Sequence, residues 1–304
     1  MVCVLRDKYL ETALRSGAGL LVLNGSTPLE RDHIRVSDIE TAWVKLLRLF
    51  SPESSFDGVH PSAVVHPEAT LEDDVRIDAG VIIARGARIG RGTVIGAGCI
   101  VGENAVIGAD CRLLERVTVR HRCVLGSRVL VQSGAVIGAD GFGFHRTPEH
   151  HHIRQEQIGT VCIEDDVEIG ANCVVDRGTL SETVIGARSK LGPSCIIAHN
   201  CKIGVDVILI GAVQLAGSVT IKDRAVLWGQ VGSIGHLTIG EGAVVTAQSG
   251  ISKDVPDGAT WRGSPAQDIR TQLRLEARFM ALETMEKRLK DLERSVLNLE
   301  KTTL

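Results

Sequence analysis

His199, Gly217 and His236 are the residues from which chemistry can first be argued. Gly217 lies three hexads beyond His199, and three hexads more reach Gly235, the neighbour of His236. If the chain winds in laps of three six-residue units, residues one lap apart stack vertically, about 4.8 Å per lap. The three then share one edge over about 10 Å, as two imidazoles flanking a glycine amide. Acyl transfer to an amine requires those parts. A neutral imidazole takes the proton of the attacking amine. A backbone N–H with no side chain in the way holds the oxyanion of the tetrahedral intermediate. A second imidazole donates a hydrogen bond nearby. An amine attacking a thioester directly needs no serine or cysteine nucleophile and no metal. Taken singly, each histidine also admits a purely structural reading.

The element that must position them is a repeat. Every sixth residue from Val59 to Ile137 is aliphatic. The series resumes at Ile163, Ile169 and Val175, and again from Ile185 to Ile251, broken only by Ser233. Neither a helix nor an alternating strand sustains a period of six. The expected fold is mainly β: a parallel β-helix of hexapeptide repeats, each unit a short strand and a turn. The first position points inward and the fifth fills a tight corner. Cys99, Cys111, Cys123, Cys173, Cys195 and Cys201 fall at that fifth position and read as small buried thiols rather than metal ligands or disulfides. Gly90, Gly96, Gly102 and Gly108, at the second position, read as turn glycines. Composition agrees: 44% of residues are hydrophobic, only 3% aromatic, and 33 are Gly. Such a core is built from small and branched aliphatics.

Other pieces flank the repeat. Residues 1–50 read as a truncated α/β domain, with a buried strand over Gly19–Asn24 and a helix over Ser37–Phe50, Ser37 and Glu40 standing at capping-box spacing. Residues 51–58 read as a linker, 59–264 as the β-helix, and 265–304 as a C-terminal helical segment. A loop at 142–157 interrupts the repeat and carries His145, His150, His151 and His152; it reads as a solvated loop, with a metal site as the alternative. Leu282, Met285, Leu289, Leu292, Val296 and Leu299 repeat at three and four residues, a coiled-coil seam for self-association. Arg270, Arg274 and Arg278 form a basic stripe on the same helix. The formal net charge of −3 gives no sign of a nucleic-acid binder. The N-terminus lacks the apolar core of a signal peptide, and no apolar run is long enough to span a membrane. The expectation is a soluble, cytoplasmic protein.

The hexads resemble the left-handed β-helix acyltransferases, a resemblance that implies three hexads per coil and a homotrimer. Five segments sharpen it: GADGFGF (138–144), IGTVCIEDDVEIGANCVVDRG (158–178), IIAHNCKIG (196–204), LAGS (215–218) and SIGHLTIG (233–240). Together with Met285 to Glu293 they resemble the UDP-3-O-(3-hydroxyacyl)glucosamine N-acyltransferases of lipid A biosynthesis, the LpxD family, across nearly the whole chain. The resemblance implies His199 as general base, Gly217 as oxyanion donor and His236 as assistant. It places substrate near Asn200, Phe142, Phe144 and Tyr9. Asp176 reads either as an orienter of the imidazole or as a structural turn residue. No bound cofactor is implied. The donor is the phosphopantetheine thioester of acyl carrier protein, which the stripe Arg270, Arg274 and Arg278 would receive, and the acceptor is a UDP-amino sugar.

Departures fall on the nucleotide side. The family's N-terminal domain is longer. Where it has a Phe, an Asn and a Tyr spaced by three in its uracil pocket, this chain has Cys3, Arg6 and Tyr9. SDI (37–39) replaces an NPY turn, and LGP (191–193) stands where the family has an LDN-like stretch. Rival readings are an amino-sugar acyltransferase using acetyl-CoA or another short acyl-CoA, a zinc hydratase on the same fold, whose histidine spacing is not met here, and a non-catalytic scaffold.

Overall fold

A computed structural model describes residues 1–24, 29–50 and 57–302, with side chains as far as Ser295. The expected linker 51–58 lies outside the described residues except for its last two positions. The chain divides into two compact units, Met1–Ser55 and Phe56–Leu304.

The N-terminal unit is a three-stranded parallel sheet of β1 (Val2–Val4), β2 (Leu21–Leu23) and β3 (His33–Arg35), in that order. Helix α1 (Leu10–Arg15) lies in the first crossover, and Val4, Ala13, Leu21 and Leu23 form the small core. Arg31 donates to the carbonyls of Leu14, Ser16 and Ala18, placing a cation where α1 ends and its carbonyls lack partners. Helix α2 spans Ile39–Leu49. Its N-cap is not Ser37 but Asp38, whose carboxylate accepts from Thr41 N and Thr41 Oγ1. The expected capping box is thus displaced by one residue.

The second unit is a left-handed parallel β-helix. The sixth and first positions of each hexad form a two-residue strand, such as Val94–Ile95. Strands stack into three sheets of ten, nine and eleven strands, parallel throughout except for the last strand of the third. Face 1 runs from Val64–Val65 to Gly250–Ile251, face 2 from Thr70–Leu71 to Thr238–Ile239, and face 3 from Arg76–Ile77 to Thr260–Gly263. On all three faces the partners stand one lap of three hexads apart, as in Ile100↔Thr118, Val106↔Val124 and Arg112↔Leu130. First-position side chains fill the interior. Ser233 is the polar exception, and its buried hydroxyl has no partner among the described residues.

Two details of the hexad differ from expectation. The left-handed backbone conformation occurs at the fourth position, where Asp74, Asn104 and Asn200 adopt φ of 59°, 54° and 61°. Second-position glycines serve close approach between coils instead. A Cβ on Gly90 would lie 2.6 Å from the carbonyl carbon of Gly108, and one on Gly108 would lie 2.6 Å from that of Gly126. The fifth-position thiols are fully buried as expected, and they also donate. Cys99 Sγ reaches Leu114 O at 2.8 Å, and Cys111 Sγ reaches Gly126 O at 3.1 Å. Thr93 and Ser189, at the same hexad position, donate to Gly108 O and Gly204 O.

Extra chain enters the coil twice, both times at the corner between faces 1 and 2, whereas the last lap is two residues short, Val244 pairing with Thr260. A regular lap would carry Val124 to Phe142, but its partner is Cys162. A regular lap from Cys162 would reach Leu180, but its partner is Val184. The first insertion leaves after Val136–Ala139 and returns at Thr160–Ile163, so it is wider than 142–157. It carries an exposed antiparallel hairpin, Phe144–Arg146 with His152–Arg154. The second lies between Val174–Asp176 and Glu182–Ile185.

At the far end Ala266–Asp268 is a strand paired antiparallel with Thr260–Gly263, so helix does not begin directly after Pro265. Asp268 caps α3 (Ile269–Met280), and α4 (Leu282–Thr302) follows after Ala281. The arginine stripe is on α3 and the apolar seam on α4, two helices rather than the one expected. No helix among the described residues is long and apolar enough to cross a membrane.

Candidate active site

The corner that bears both insertions also bears the histidines. His199, Gly217 and Gly235 follow the face 1 strands Ile196–Ile197, Gln214–Leu215 and Gly232–Ser233, each at the third hexad position. Backbone bonds lock the column: Ser218 N donates to His199 O at 2.9 Å, and His236 N donates to Gly217 O at 3.1 Å. A Cβ on Gly217 would lie 2.5 Å from His199 Cε1 and 2.6 Å from Nε2. The ring therefore rests against the bare Cα, and only glycine leaves room for it. No acceptor within the described residues takes the Gly217 N–H.

The ring has a defined orientation. His199 Nδ1 is 3.0 Å from Asn200 Oδ1. That oxygen also accepts from Thr179 N at 3.1 Å, while Asn200 Nδ2 donates to Ser181 Oγ at 3.0 Å. These partners fix which end of the amide is oxygen, so Nδ1 must carry the proton and the neutral ring keeps its lone pair on Nε2, beside Gly217. Thr179 and Ser181 belong to the second insertion. Asn200, expected against substrate, thus uses its side chain within the protein, orienting the imidazole, the role that was one of two readings for Asp176.

Asp176 acts at the level of charge. Burial pushes its carboxyl up to about 6, a charged His199 pulls it down, and Asp140 adds to the rise. The first insertion closes the remaining side. A Cβ on Gly141 would lie 3.0 Å from His199 Cβ and 3.1 Å from Cδ2. Gln157 is buried and accepts from Thr179 Oγ1 at 2.9 Å.

The other expected residues are spread more widely. His236 is exposed at its turn, and its ring has no hydrogen-bond partner among the described residues. Phe142 is 89% exposed on the first insertion and meets Phe144 edge-on, centroids 4.9 Å apart. Tyr9 is half-exposed in the N-terminal unit, with Lys8 Nζ 5.0 Å above its ring. Arg270, Arg274 and Arg278 are exposed on α3, and none pairs with a carboxylate among the described residues. His145, His150, His151 and His152 are exposed on the hairpin and its turn, and no group of three or more His, Cys, Asp or Glu converges as a metal site among the described residues.

Beside the column, face 1 carries a groove of about 700 Å³. Its floor follows the outward sixth positions Ile196, Gln214, Gly232 and Gly250, flanked by Ile234 and Pro265. The site residues that sequence reasoning missed are Thr179, Ser181, Gln157, Gly141, Arg177 and His121. Arg177, Thr179 and Ser181 were signalled only by the slip in the repeat after Val175, and Gly141 and Gln157 only by the interruption after Ile137; nothing in the sequence singled out His121.

The family model described as GMPPB C-terminal domain matches residues 57–143. A UDP-3-O-acylglucosamine N-acyltransferase of Methylobacterium nodulans is 47% identical over 138 residues, 45% of this chain and 39% of that protein. One of Helicobacter hepaticus is 40% identical over 133 residues, 44% of this chain and 41% of that protein. The chain thus spans about two fifths of the length of these curated relatives. Among solved structures, an Arabidopsis UDP-N-acetylglucosamine acyltransferase superposes with a TM-score of 0.58 at 26% identity, covering 69% of this chain and 73% of that one. The Bacteroides fragilis enzyme of the same name, at 21% identity and a TM-score of 0.56 over 69% of this chain and 73% of that one, shares the fold. These relatives and neighbours are all named acyltransferases.

Proposed function

We propose that the chain is an N-acyltransferase of lipid A biosynthesis, moving a 3-hydroxyacyl group from an acyl carrier protein thioester to the amine of a UDP-3-O-acylglucosamine-like sugar. The observation that carries the reading is His199 Nε2, which keeps its lone pair, packed against the bare Cα of Gly217, a residue whose N–H has no partner among the described residues. His199 removes a proton from the amine as its nitrogen attacks the thioester carbonyl. The negative charge that develops on the carbonyl oxygen is held by the Gly217 amide. Collapse of the tetrahedral intermediate breaks the C–S bond, and the imidazolium returns its proton to the leaving thiolate. The products are an amide and a free phosphopantetheine thiol. Asp176 lowers the cost of the imidazolium, and His236 donates a hydrogen bond at the acceptor side.

The apolar groove on face 1 suits the acyl chain, and the exposed stripe Arg270, Arg274 and Arg278 suits an acidic carrier. Phe142 and Phe144 offer ring faces to the sugar substrate. Two features support a homotrimer. Face 1 presents exposed Val64, Ile82 and Ile100 along its outward column, and α4 presents exposed Leu282, Met285, Leu289 and Leu292; the remaining seam residues Val296 and Leu299 have side chains outside the described set.

The test is His199→Ala, assayed by mass spectrometry of products from candidate amino sugars and a panel of acyl carrier thioesters. Turnover should fall by about 10²–10⁴-fold with the oligomeric state by light scattering unchanged. Full turnover in the variant overturns the assignment, and activity confined to acetyl-CoA would move the donor to the short-chain class.

A further inference from the structure

One coil below His199, at the same corner, stands a guanidinium with no exposure to solvent: Arg177 is 0% exposed. Its Nε donates to Gly138 O at 2.9 Å, its Nη1 to His121 Nε2 at 2.6 Å and Gly159 O at 3.3 Å, and its Nη2 to His121 O at 3.2 Å. Among the described residues the one carboxylate it meets is Asp140, 3.7 Å from Nε. Asp140 in turn engages Arg154 at 2.8 Å and Arg120 at 3.7 Å, so its charge is divided among three cations.

Gly138 and Gly159 are the exit and the return of the first insertion. Arg177 therefore ties the two ends of that segment to each other and to His121, two coils below it. The root is crowded: Gly138 takes a φ of +87°, and a Cβ there would run into Cys123 Sγ and come within 3.3 Å of Arg177 Nη2. A Cβ on Gly159 would run into the carbonyls of Ser181 and Gly178. Just beyond Gly138, Gly141 packs on the His199 ring. Just before Gly159, Gln157 holds Thr179, whose N–H fixes the Asn200 oxygen. Each end of the insertion thus leads directly to a group that orients His199.

Burying a guanidinium with so little carboxylate is unfavourable, and an apolar side chain would fill the site at lower cost. What only a planar five-donor group provides is simultaneous engagement of two loop ends and a coil below. We propose that Arg177 is a positioning residue: it clamps the root of the insertion so that Gly141 and Gln157 hold His199 and Asn200 in register. The proposal rests on the reading of His199 as the base. His121 must accept from Arg177 through Nε2 and so stays neutral, and burial together with Arg177, Arg122 and Arg120 lowers its pKa against the opposing pull of Asp140.

The experiment compares Arg177→Met and His121→Ala with the parent chain by hydrogen exchange and by steady-state kinetics. Exchange should rise at least tenfold across 138–159 in both variants, while the strands of all three faces keep their protection. A misplacement of about 1 Å at the base predicts a fall in kcat of about 100-fold with the KM for the acceptor little changed, and His121→Gln, which keeps an acceptor atom, should stay within a few fold of the parent. Unaltered exchange across 138–159 overturns the clamp whatever the turnover does. Loosened exchange with unaltered kcat overturns the link to His199. If Arg177→Met unfolds the coil, the His121 pair decides the matter alone, since equal exchange in the Ala and Gln variants overturns the clamp as well. Exchange needs no substrate, so failure of the acyltransferase reading would show separately, as activity retained in His199→Ala.

Discussion

Asp176 is where a single residue couples stability to the proposed chemistry. Burial raises its carboxyl to about 6, so the folded chain binds this proton more tightly than the unfolded one, whose value is about 3.9. The stabilisation that protonated Asp176 contributes is complete below about pH 4 and is lost as pH rises through about 6. Asp176→Asn, neutral at every pH, should therefore melt above the parent at about pH 7–8, the gap closing toward about pH 4, while turnover falls for want of the charge facing the imidazolium. Thermal unfolding across that range checks it, and a pH-independent gap would sink it. His199, Gly217 and the edge they share were legible in the three-hexad spacing. The orienting role of Asn200 was not, nor was Arg177. Repeat arithmetic fixes which residues stack. It is silent on which atoms meet when inserted chain such as Thr179 and Ser181 folds back on the corner.

Among the elements, the hexad assigns its glycines two separate jobs, and substitution can tell them apart. Gly108 is pressed against the backbone of Gly126, whereas Gly80 has φ +67° and open space around it. Gly108→Ala should cost about 1–3 kcal/mol, as overpacking does. Gly80→Asn should be nearly neutral, because Asn tolerates this conformation and Asn104 already adopts it. Denaturant unfolding of the two variants measures the contrast, and equal losses would contradict it. Reading Gly90 and Gly108 as turn glycines failed because sequence shows that a side chain is missing but not whether torsion or a neighbouring coil forbids it. The strands themselves were plain from Val59 onward, since a period of six repeats until chance is excluded. Asp38 shows the ordinary limit: Ser37 and Asp38 both make good caps, and one residue of register decides between them.

At the scale of the whole β-helix, the backbone of each coil bonds only to the coils above and below it, side-chain ties such as Arg177 to His121 being the exception. Its three sheets therefore share one register, and residues can be added without breaking that register only where they leave the barrel entirely. Both insertions do so at the one corner that carries His199. The site exists where the repeat is most disturbed, which is also why the sequence located it less completely than it located the coil.

Neighbour-only bonding has a mechanical corollary. Drawn apart by handles at positions 57 and 268, the stack should not rupture at once but unwind lap by lap, in force steps that each release about 60 Å of chain. Two steps should be longer, about 130 Å and about 75 Å. They fall where Val124 pairs with Cys162 and where Cys162 pairs with Val184. An optical-trap trace would then read the positions of the two insertions as a ruler along the molecule.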